Sequence, residues 1–277
     1  MKNKILSMFD YFLILVVLCL VTIGILCIYS SSINSQGISV TNEYVKQIIW
    51  ASIGFVFMIF ITTYDYRKFE SISMWRYIFL ILILIYTLIF GRYVNGAKSW
   101  IGIGDFGVQP SEFGKIFFIL YLAHYLNSTK NENQLKRFIF ACAILCVPLG
   151  LILIQPDMGT GSVYIPIFLL MCFFANIPLR YILYVLSFGL LTIFFAVLPV
   201  WNVEIATNPV AAVSVLTNMK FRIIIILAFL FITLIGITFR RYFHGPKYIF
   251  WISYVFSIIT LALIFSLLLG KFLKDYQ

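Results

Sequence analysis

Charge is scarce in this sequence, and acidic charge is scarcest. Only 11% of the 277 residues are charged and 10 of them are Asp or Glu, whereas 62% are hydrophobic. The mean hydropathy is +1.03. About 25% of all residues in a typical soluble domain are charged. The composition therefore excludes an ordinary soluble domain and predicts an integral membrane protein.

Cysteine and histidine are also too few to organise a site. The chain has five cysteines and two histidines, and every cysteine lies within an apolar stretch. An odd number at membrane depth argues against a disulfide framework. Cys142 and Cys146, one helical turn apart, lack the further ligands that a metal site needs. The cysteines are predicted to be small apolar side chains, and the residues indicate no metal site.

The chain has no linker, low-complexity tract or clear repeat that would divide it, so one transmembrane domain over residues 1–277 is expected. Apolar runs of about 20 residues, the length that crosses a bilayer, recur along it. They are continuous rather than alternating, which indicates helices and not a β-barrel. The predicted fold is an all-α polytopic bundle of about nine transmembrane helices, at residues 11–30, 48–64, 74–90, 111–126, 138–154, 162–177, 181–200, 223–239 and 248–269.

The basic residues set the predicted orientation. Twelve of the 20 Lys and Arg residues fall on the N-terminal side of the membrane and seven on the other, with Lys115 inside a span. Lys and Arg are enriched in cytoplasmic loops, so the N-terminus is predicted to be cytoplasmic. The net charge of +10 forms no contiguous patch on an exposed domain. Nucleic acid is therefore not an expected partner.

The most polar stretch, NGAKSWIGIGDFGVQPSEFGK at residues 95–115, lies between the third and fourth spans on the predicted outer side. Its glycines permit tight, irregular backbone, and Trp100 suits a lipid surface. Pro110 suits the first turn of a helix, and Lys115 lies three residues beyond Glu112 on the same face. Ionisable residues within a span are functional candidates, and a cap with a salt bridge is the alternative interpretation.

A second polar cluster, QPDMGTG at residues 155–161, lies between the fifth and sixth spans on the same predicted side. Its Pro and Gly break the helix, and Asp157 or Thr160 can cap the next one. Capping alone is one explanation of the cluster. The other is a site at the outer membrane surface that both polar clusters form together.

Three segments in this order resemble the SEDS family of membrane proteins. They are NGAKSWI at residues 95–101, QPSEFGK at 109–115 and QPDMGT at 155–160, and the final LKDYQ at 273–277 is similar to the RodA branch. The resemblance extends from about the first span to the last residue. It implies a multi-pass protein of the bacterial inner membrane.

The resemblance also implies an activity and a set of partners. Family members are peptidoglycan glycosyltransferases that polymerise lipid II, working with a class B penicillin-binding transpeptidase and other membrane proteins of cell elongation. Lys115, Lys98 and Arg92 would then neutralise the pyrophosphate of lipid II, while Glu112 would hold Lys115. The predicted catalytic residues are Glu112, Lys115 and Asp157, and the predicted substrate-binding residues are Arg92, Lys98, Trp100, Gln109 and Ser111. No cofactor is evident, although a divalent cation would suit a pyrophosphate leaving group.

The sequence departs from the family pattern in two ways. The family reaches the Lys-Asp-Tyr-Gln segment after seven spans, so residues 223–269 are predicted to be an inserted helical pair. The acidic residue usually assigned as base follows that segment in the family, whereas this sequence ends at Gln277. The sequence is therefore expected to be the N-terminal portion of a family member, and the 277-residue chain is expected to lack polymerase activity alone. Asp157 is the substitute base, although an orienting role suits it better.

The residues are also compatible with two other functions. A flippase or transporter of lipid-linked precursors would use the same charged residues to move a polar headgroup across the bilayer, and a noncatalytic scaffold would need none of them. The outward grouping of Glu112, Lys115 and Asp157 favours chemistry at the surface, because a transporter places ionisable residues deep in several spans.

Overall fold

The computed structural model of the chain describes residues 10–33, 42–62, 72–94, 96–103, 106–202, 213, 215, 216, 218–243 and 247–275. Asn95 of the first motif, and Tyr276 and Gln277 of the last, lie outside these residues. Within the described residues the chain forms nine helices, namely α1 (Tyr11–Ser31), α2 (Glu43–Thr62), α3 (Ser73–Phe90), α4 (Pro110–Ser128), α5 (Gln134–Ile154), α6 (Met158–Phe174), α7 (Leu179–Val200), α8 (Met219–Phe243) and α9 (Lys247–Asp275).

Each helix overlaps one of the nine predicted spans, although several begin or end a few residues away from the predicted bounds. Within the described residues, seven of them are long and apolar enough to cross a membrane: α1, α2, α3, α5, α7, α8 and α9. Helix α6 is shorter at 17 residues, and α4 carries Glu112 and Lys115 near its start. The predicted polytopic helical membrane fold is thereby confirmed.

The structure divides into two compact units, residues 1–72 and 73–277. In the first unit, Asp10 caps α1 by accepting a hydrogen bond from the backbone N–H of Leu13 at 3.0 Å. Helix α1 packs on α2, and the rings of Tyr29 and Tyr44 meet edge to face with centroids 5.2 Å apart. Glu43 and Lys46 form an ion pair of 3.0 Å in the first turn of α2.

The core of the second unit lies among α3, α4, α5 and α6. Fully buried side chains from each helix meet there, among them Leu84, Phe118, Ala141 and Tyr164. Lipid tails are as apolar as these side chains, so close packing rather than exclusion from water holds such helices together. Gly114 of α4 shows the closeness, because a Cβ there would lie 2.4 Å from Leu80 Cδ1 and 2.9 Å from the Tyr164 hydroxyl.

The last three helices extend this unit. Helix α9 packs along α7 and α8 packs along α9. A Cβ on Gly236 of α8 would lie 2.0 Å from Ser253 Oγ of α9, so the glycine permits close approach of the two helices. Helices α8 and α9, which contain the described residues of the range 223–269, thus form an antiparallel pair, and the status of this pair as an insertion stays a prediction.

The loop between α3 and α4 is more regular than expected. It forms a three-stranded antiparallel sheet in the order β1-β2-β3, with strands β1 (Arg92–Val94), β2 (Ala97–Ile103) and β3 (Phe106–Val108). Gly96 has a φ of +84°, a conformation that favours glycine, in the β1–β2 turn. The prediction of an irregular backbone was therefore wrong. The dipeptide Asn95-Gly96 is a strong sequence signal for a hairpin and favours the regular alternative.

The predicted orientation can be tested at the two ends of the second unit. In a cysteine-free background, Lys98→Cys is expected to react with a membrane-impermeant maleimide in intact cells, whereas Lys130→Cys is expected to react only after permeabilisation. The reason is that α4 begins near the sheet and ends near Lys130, so the two positions lie at opposite ends of a helix that is predicted to cross the membrane. If only Lys130→Cys is labelled in intact cells, the orientation is the reverse of the predicted one.

Candidate functional site

The two polar motifs meet at one end of the second unit, where α3 and α5 end and α4 and α6 begin. The backbone N–H of Lys98 in β2 donates to the Gln155 carbonyl at 3.2 Å. The Gln155 side chain is 1% exposed, and its Nε2 donates to the Leu84 carbonyl at 2.9 Å. Gln155 therefore joins the sheet to the end of α5 and to the C-terminal half of α3.

Gln109 connects the motifs directly through its side-chain amide. Its Nε2 donates to Asp157 Oδ2 and to Thr160 Oγ1 at 2.9 Å. Asp157 is 9% exposed, and its Oδ1 accepts the backbone N–H of Thr160 at 3.1 Å as the N-cap of α6. The predicted cap is confirmed, and the same carboxylate also holds the residue that precedes α4.

Glu112 and Lys115 form the predicted ion pair. Lys115 Nζ lies 2.8 Å from Glu112 Oε1 and 2.9 Å from Oε2. The Glu112 side chain is 49% exposed and that of Lys115 is 18% exposed, so the pair lies at the rim of the bundle. Thr160 Oγ1 donates to Glu112 Oε1 at 3.3 Å. One continuous network therefore runs from Lys115 through Thr160 to Gln109 and Asp157.

The start of α4 is fixed beneath this network. Pro110 is the first residue of the helix, as predicted, and the Tyr164 hydroxyl donates to the Ser111 carbonyl at 2.9 Å. Ser111 is 1% exposed, and its Oγ has no hydrogen-bond partner among the described residues. Burial places the Ser111 side chain out of reach of a substrate in this conformation.

The three remaining predicted residues lie on the sheet. Lys98 Nζ donates to the Ile89 carbonyl at 2.8 Å and lies 6.0 Å from the centre of the Tyr93 ring. Its ammonium group is therefore turned toward the end of α3 and not bonded to Glu112. Arg92 is exposed and pairs across the strands with Trp100. The Trp100 ring covers Gly107, where a Cβ would lie 2.9 Å from its Cε3.

Three residues of the observed site were not among the predicted ones: Gln155, Thr160 and Tyr164. Gln155 and Thr160 are polar residues at the ends of apolar spans, which is the signal that could have identified them. Tyr164 is one helical turn beyond Thr160 and so shares its face. Among the described residues, no three His, Cys, Asp or Glu side chains gather closely enough to hold a metal ion.

The family profile described as FtsW/RodA/SpoVE, cell cycle protein, matches residues 10–209. The chain belongs to this family. It is 44% identical to the peptidoglycan glycosyltransferase RodA of Treponema pallidum over all 277 residues, which cover 64% of that relative. It is 32% identical to stage V sporulation protein E of Bacillus subtilis over 188 residues, which are 65% of the chain and 51% of that relative.

A solved structure shows the same fold. The crystal structure of the rod shape determining protein RodA from Thermus thermophilus matches with a TM-score of 0.57 at 18% identity, covering 96% of this chain and 86% of that one. Together with the seven long apolar helices of the described residues, membership of the FtsW/RodA/SpoVE family makes the chain a multi-pass protein of the bacterial inner membrane. The chain spans about two thirds of the length of the Treponema relative and about half that of the Bacillus one.

Proposed function

We propose that this protein is a peptidoglycan glycosyltransferase that polymerises lipid II for cell elongation. The observation that carries the proposal is the 44% identity, over the whole chain, to a relative named for that activity. The polar network at the predicted outer end of α4 and α6 supports it, since lipid II presents its sugars and pyrophosphate at the membrane surface. The proposal concerns the protein as expressed from its native gene.

The proposed role of Lys115 follows from its positive charge and from the ion pair that fixes its position. Each transfer releases a lipid-linked pyrophosphate, and a fixed cation stabilises the negative charge that develops on the departing phosphate. Lys115 is held by both oxygens of Glu112 while remaining at the rim of the bundle. A cation fixed beforehand needs no rearrangement during the reaction. We assign Lys115 to the pyrophosphate and Glu112 to the positioning of Lys115.

The strand residues supply the remaining contacts of the proposed substrate site. Arg92 is exposed at the predicted outer surface and suits bidentate contact with phosphate oxygens. Lys98 serves the same role if its side chain rotates away from the Ile89 carbonyl. Trp100 offers an aromatic surface beside both. The oxygens of a bound pyrophosphate would themselves supply ligands for a divalent cation, which keeps such a cation compatible as a cofactor.

Asp157 and Gln109 are proposed to position the site rather than to move a proton. Transfer requires a base that accepts the proton of the attacking sugar hydroxyl within about 3 Å. Asp157 is buried and both of its oxygens already accept hydrogen bonds, from Gln109 and from the backbone of Thr160. Ser111 is buried as well, so we assign it to the first turn of α4 and not to contact with the substrate. The base is assigned to none of these residues.

A transpeptidase partner is part of the proposal. A further matching structure, with a TM-score of 0.53 and 16% identity, covers 92% of this chain and 83% of its own, and is described as a peptidoglycan synthase complex that coordinates polymerisation and crosslinking. We propose the same kind of partner here, a class B penicillin-binding protein, together with other membrane proteins of the elongation complex. The helical pair at residues 223–269 lies outside the matched residues 10–209, and we propose it as an insertion.

The activity test separates polymerisation from transport. The protein purified from its native gene, with its partner transpeptidase, is incubated with lipid II, and the products are separated by gel electrophoresis. Long glycan strands are expected. In parallel, the protein is reconstituted in liposomes with fluorescent lipid II, whose translocation is followed by dithionite quenching. Translocation of lipid II without glycan strands would contradict the proposal and indicate a transporter. If the protein shows neither polymerisation nor translocation, the noncatalytic scaffold is the remaining function.

A further inference from the structure

A cavity of about 420 Å³ lies between the C-terminal ends of α4 and α6 and the start of α5. This is the end of the helices opposite to the candidate site, and on the predicted orientation it faces the cytoplasm. Its lining combines two chemical types. Asn127, Lys130, Arg137 and Asn176 are polar, whereas Met171 and Phe174 are apolar.

Arg137 is the buried cation of this cavity, at 3% exposure. Its guanidinium donates to the Leu126 carbonyl, to the Ala175 carbonyl at 3.1 Å and to Gln134 Oε1 at 3.3 Å. These acceptors are neutral, and Nε has no hydrogen-bond partner among the described residues. The carbonyl ends of α4 and α6 offset part of the charge. A buried charge that lacks a counterion is costly, which favours an anion beside it.

Further donors surround the same space. Lys130 is exposed in the loop between α4 and α5 and lines the cavity, as do the side chains of Asn127 and Asn176. Glu132, an acidic residue of that loop, is not among the lining residues. Ammonium and guanidinium groups with nearby amide donors match the oxygens of a phosphate. The polar side of the cavity therefore suits a phosphate group.

The apolar side of the cavity distinguishes between sources of phosphate. Phe174 is 79% exposed and lies at the last residue of α6, with Met171 one turn before it. A soluble phosphate gains nothing from these side chains, whereas a phospholipid places an acyl chain beside its headgroup. Basic pockets between transmembrane helices on the cytoplasmic side typically bind anionic headgroups.

We propose that this cavity binds the phosphate of an anionic phospholipid from the inner leaflet, with an acyl chain along Met171 and Phe174. The bound lipid supplies the negative charge near Arg137 and joins the ends of α4, α5 and α6. This proposal does not depend on the glycosyltransferase activity. A transporter of lipid-linked precursors or a noncatalytic scaffold with this cavity would bind the same lipid.

The test measures lipid binding to the detergent-purified protein by native mass spectrometry. Phosphatidylglycerol is compared with phosphatidylcholine of the same acyl chains, and inorganic phosphate is titrated as a separate ligand. The informative variant is Lys130→Gln, because Lys130 is exposed and its loss leaves the helix contacts intact. The matched control is Lys136→Gln, an exposed lysine on α5 beside Arg137 that does not line the cavity.

One phosphatidylglycerol is expected to bind more tightly than phosphatidylcholine, and Lys130→Gln is expected to weaken it about fivefold, equivalent to about 1 kcal/mol. Lys136→Gln is expected to leave the affinity within about twofold. Equal losses in the two variants would indicate general surface attraction and overturn the site. Equal binding of phosphatidylcholine, or equally tight binding of inorganic phosphate, would overturn the anionic lipid as ligand.

Discussion

Lys115→Ala is expected to lower the rate of glycan polymerisation by about 10²–10³-fold while the protein still accumulates in the membrane. The physical reason is the loss of the fixed cation that we assign to the departing pyrophosphate. Glu112→Ala is expected to act in the same direction, because it releases Lys115 from its 2.8 and 2.9 Å contacts. Polymerisation is measured with lipid II, and accumulation by immunoblot of membranes.

Stability does not account for so large an effect. Half of the Glu112 side chain is exposed, and an exposed ion pair contributes about 1 kcal/mol or less to stability. The matched control is Lys46→Ala in α2, which removes another i,i+3 pair with a 3.0 Å contact. This variant is expected to keep nearly normal polymerisation. A comparable loss in Lys46→Ala would attribute both effects to folding or insertion.

A charge exchange separates substrate contact from a structural ion pair. The double variant Glu112→Lys with Lys115→Glu keeps two opposite charges at the same spacing but moves the cation by almost one helical turn. If Lys115 meets the pyrophosphate, the exchanged protein stays inactive. Recovery of polymerisation in the double variant, after loss in each single variant, would show that only the pairing matters.

The membrane helices could be predicted from the sequence because the bilayer itself dictates their length. About 20 apolar residues are needed to cross the hydrocarbon, and this signal is local to each run. The ends of the helices depend on other interactions. Helix α6 begins at Met158 rather than at residue 162 because Asp157 caps it. Helix α2 begins at Glu43, five residues before the apolar run, because a polar first turn still forms helix outside the hydrocarbon.

The site could be predicted only where its contacts are local. Glu112 and Lys115 lie three residues apart, so helical geometry alone brings them together. Gln109 and Asp157 are separated by 48 residues, and their contact depends on how α4 packs against α6. That packing is set by Gly114 under the Tyr164 hydroxyl and by the bond from that hydroxyl to Ser111. A single sequence records each of these residues but not their proximity.

The sheet between α3 and α4 illustrates a different limit. Its strands are short and contain Gly102 and Gly107, which weaken the alternation by which strands are recognised. Pairing across the strands and packing of Trp100 on Gly107 supply the stability that the local sequence does not. Glycines in this loop suggested an irregular backbone, yet Gly107 is needed for the packing of Trp100 on a regular sheet.

Asp157→Asn is expected to retain polymerisation within about tenfold of the normal rate, whereas Asp157→Ala is expected to lose most of it. Asn is as good an N-cap as Asp, while replacement of a cap by Ala typically costs about 0.5–2 kcal/mol. The Asn side chain keeps one acceptor for the backbone N–H of Thr160, which Asp157 now accepts at 3.1 Å. The Ala side chain accepts neither this bond nor the one from Gln109.

The same pair of variants distinguishes positioning from proton transfer. A base cannot be replaced by an amide, so a general-base role for Asp157 predicts a loss of at least about 10²-fold in Asp157→Asn. The double variant Gln109→Glu with Asp157→Asn provides the decisive control, because it exchanges the donor and the acceptor of their hydrogen bond. Positioning predicts that this double variant works at least as well as Asp157→Asn and melts at a similar temperature. If Asp157→Asn is folded by its melting curve yet inactive, and the exchange restores nothing, Asp157 is the base and the positioning role is wrong.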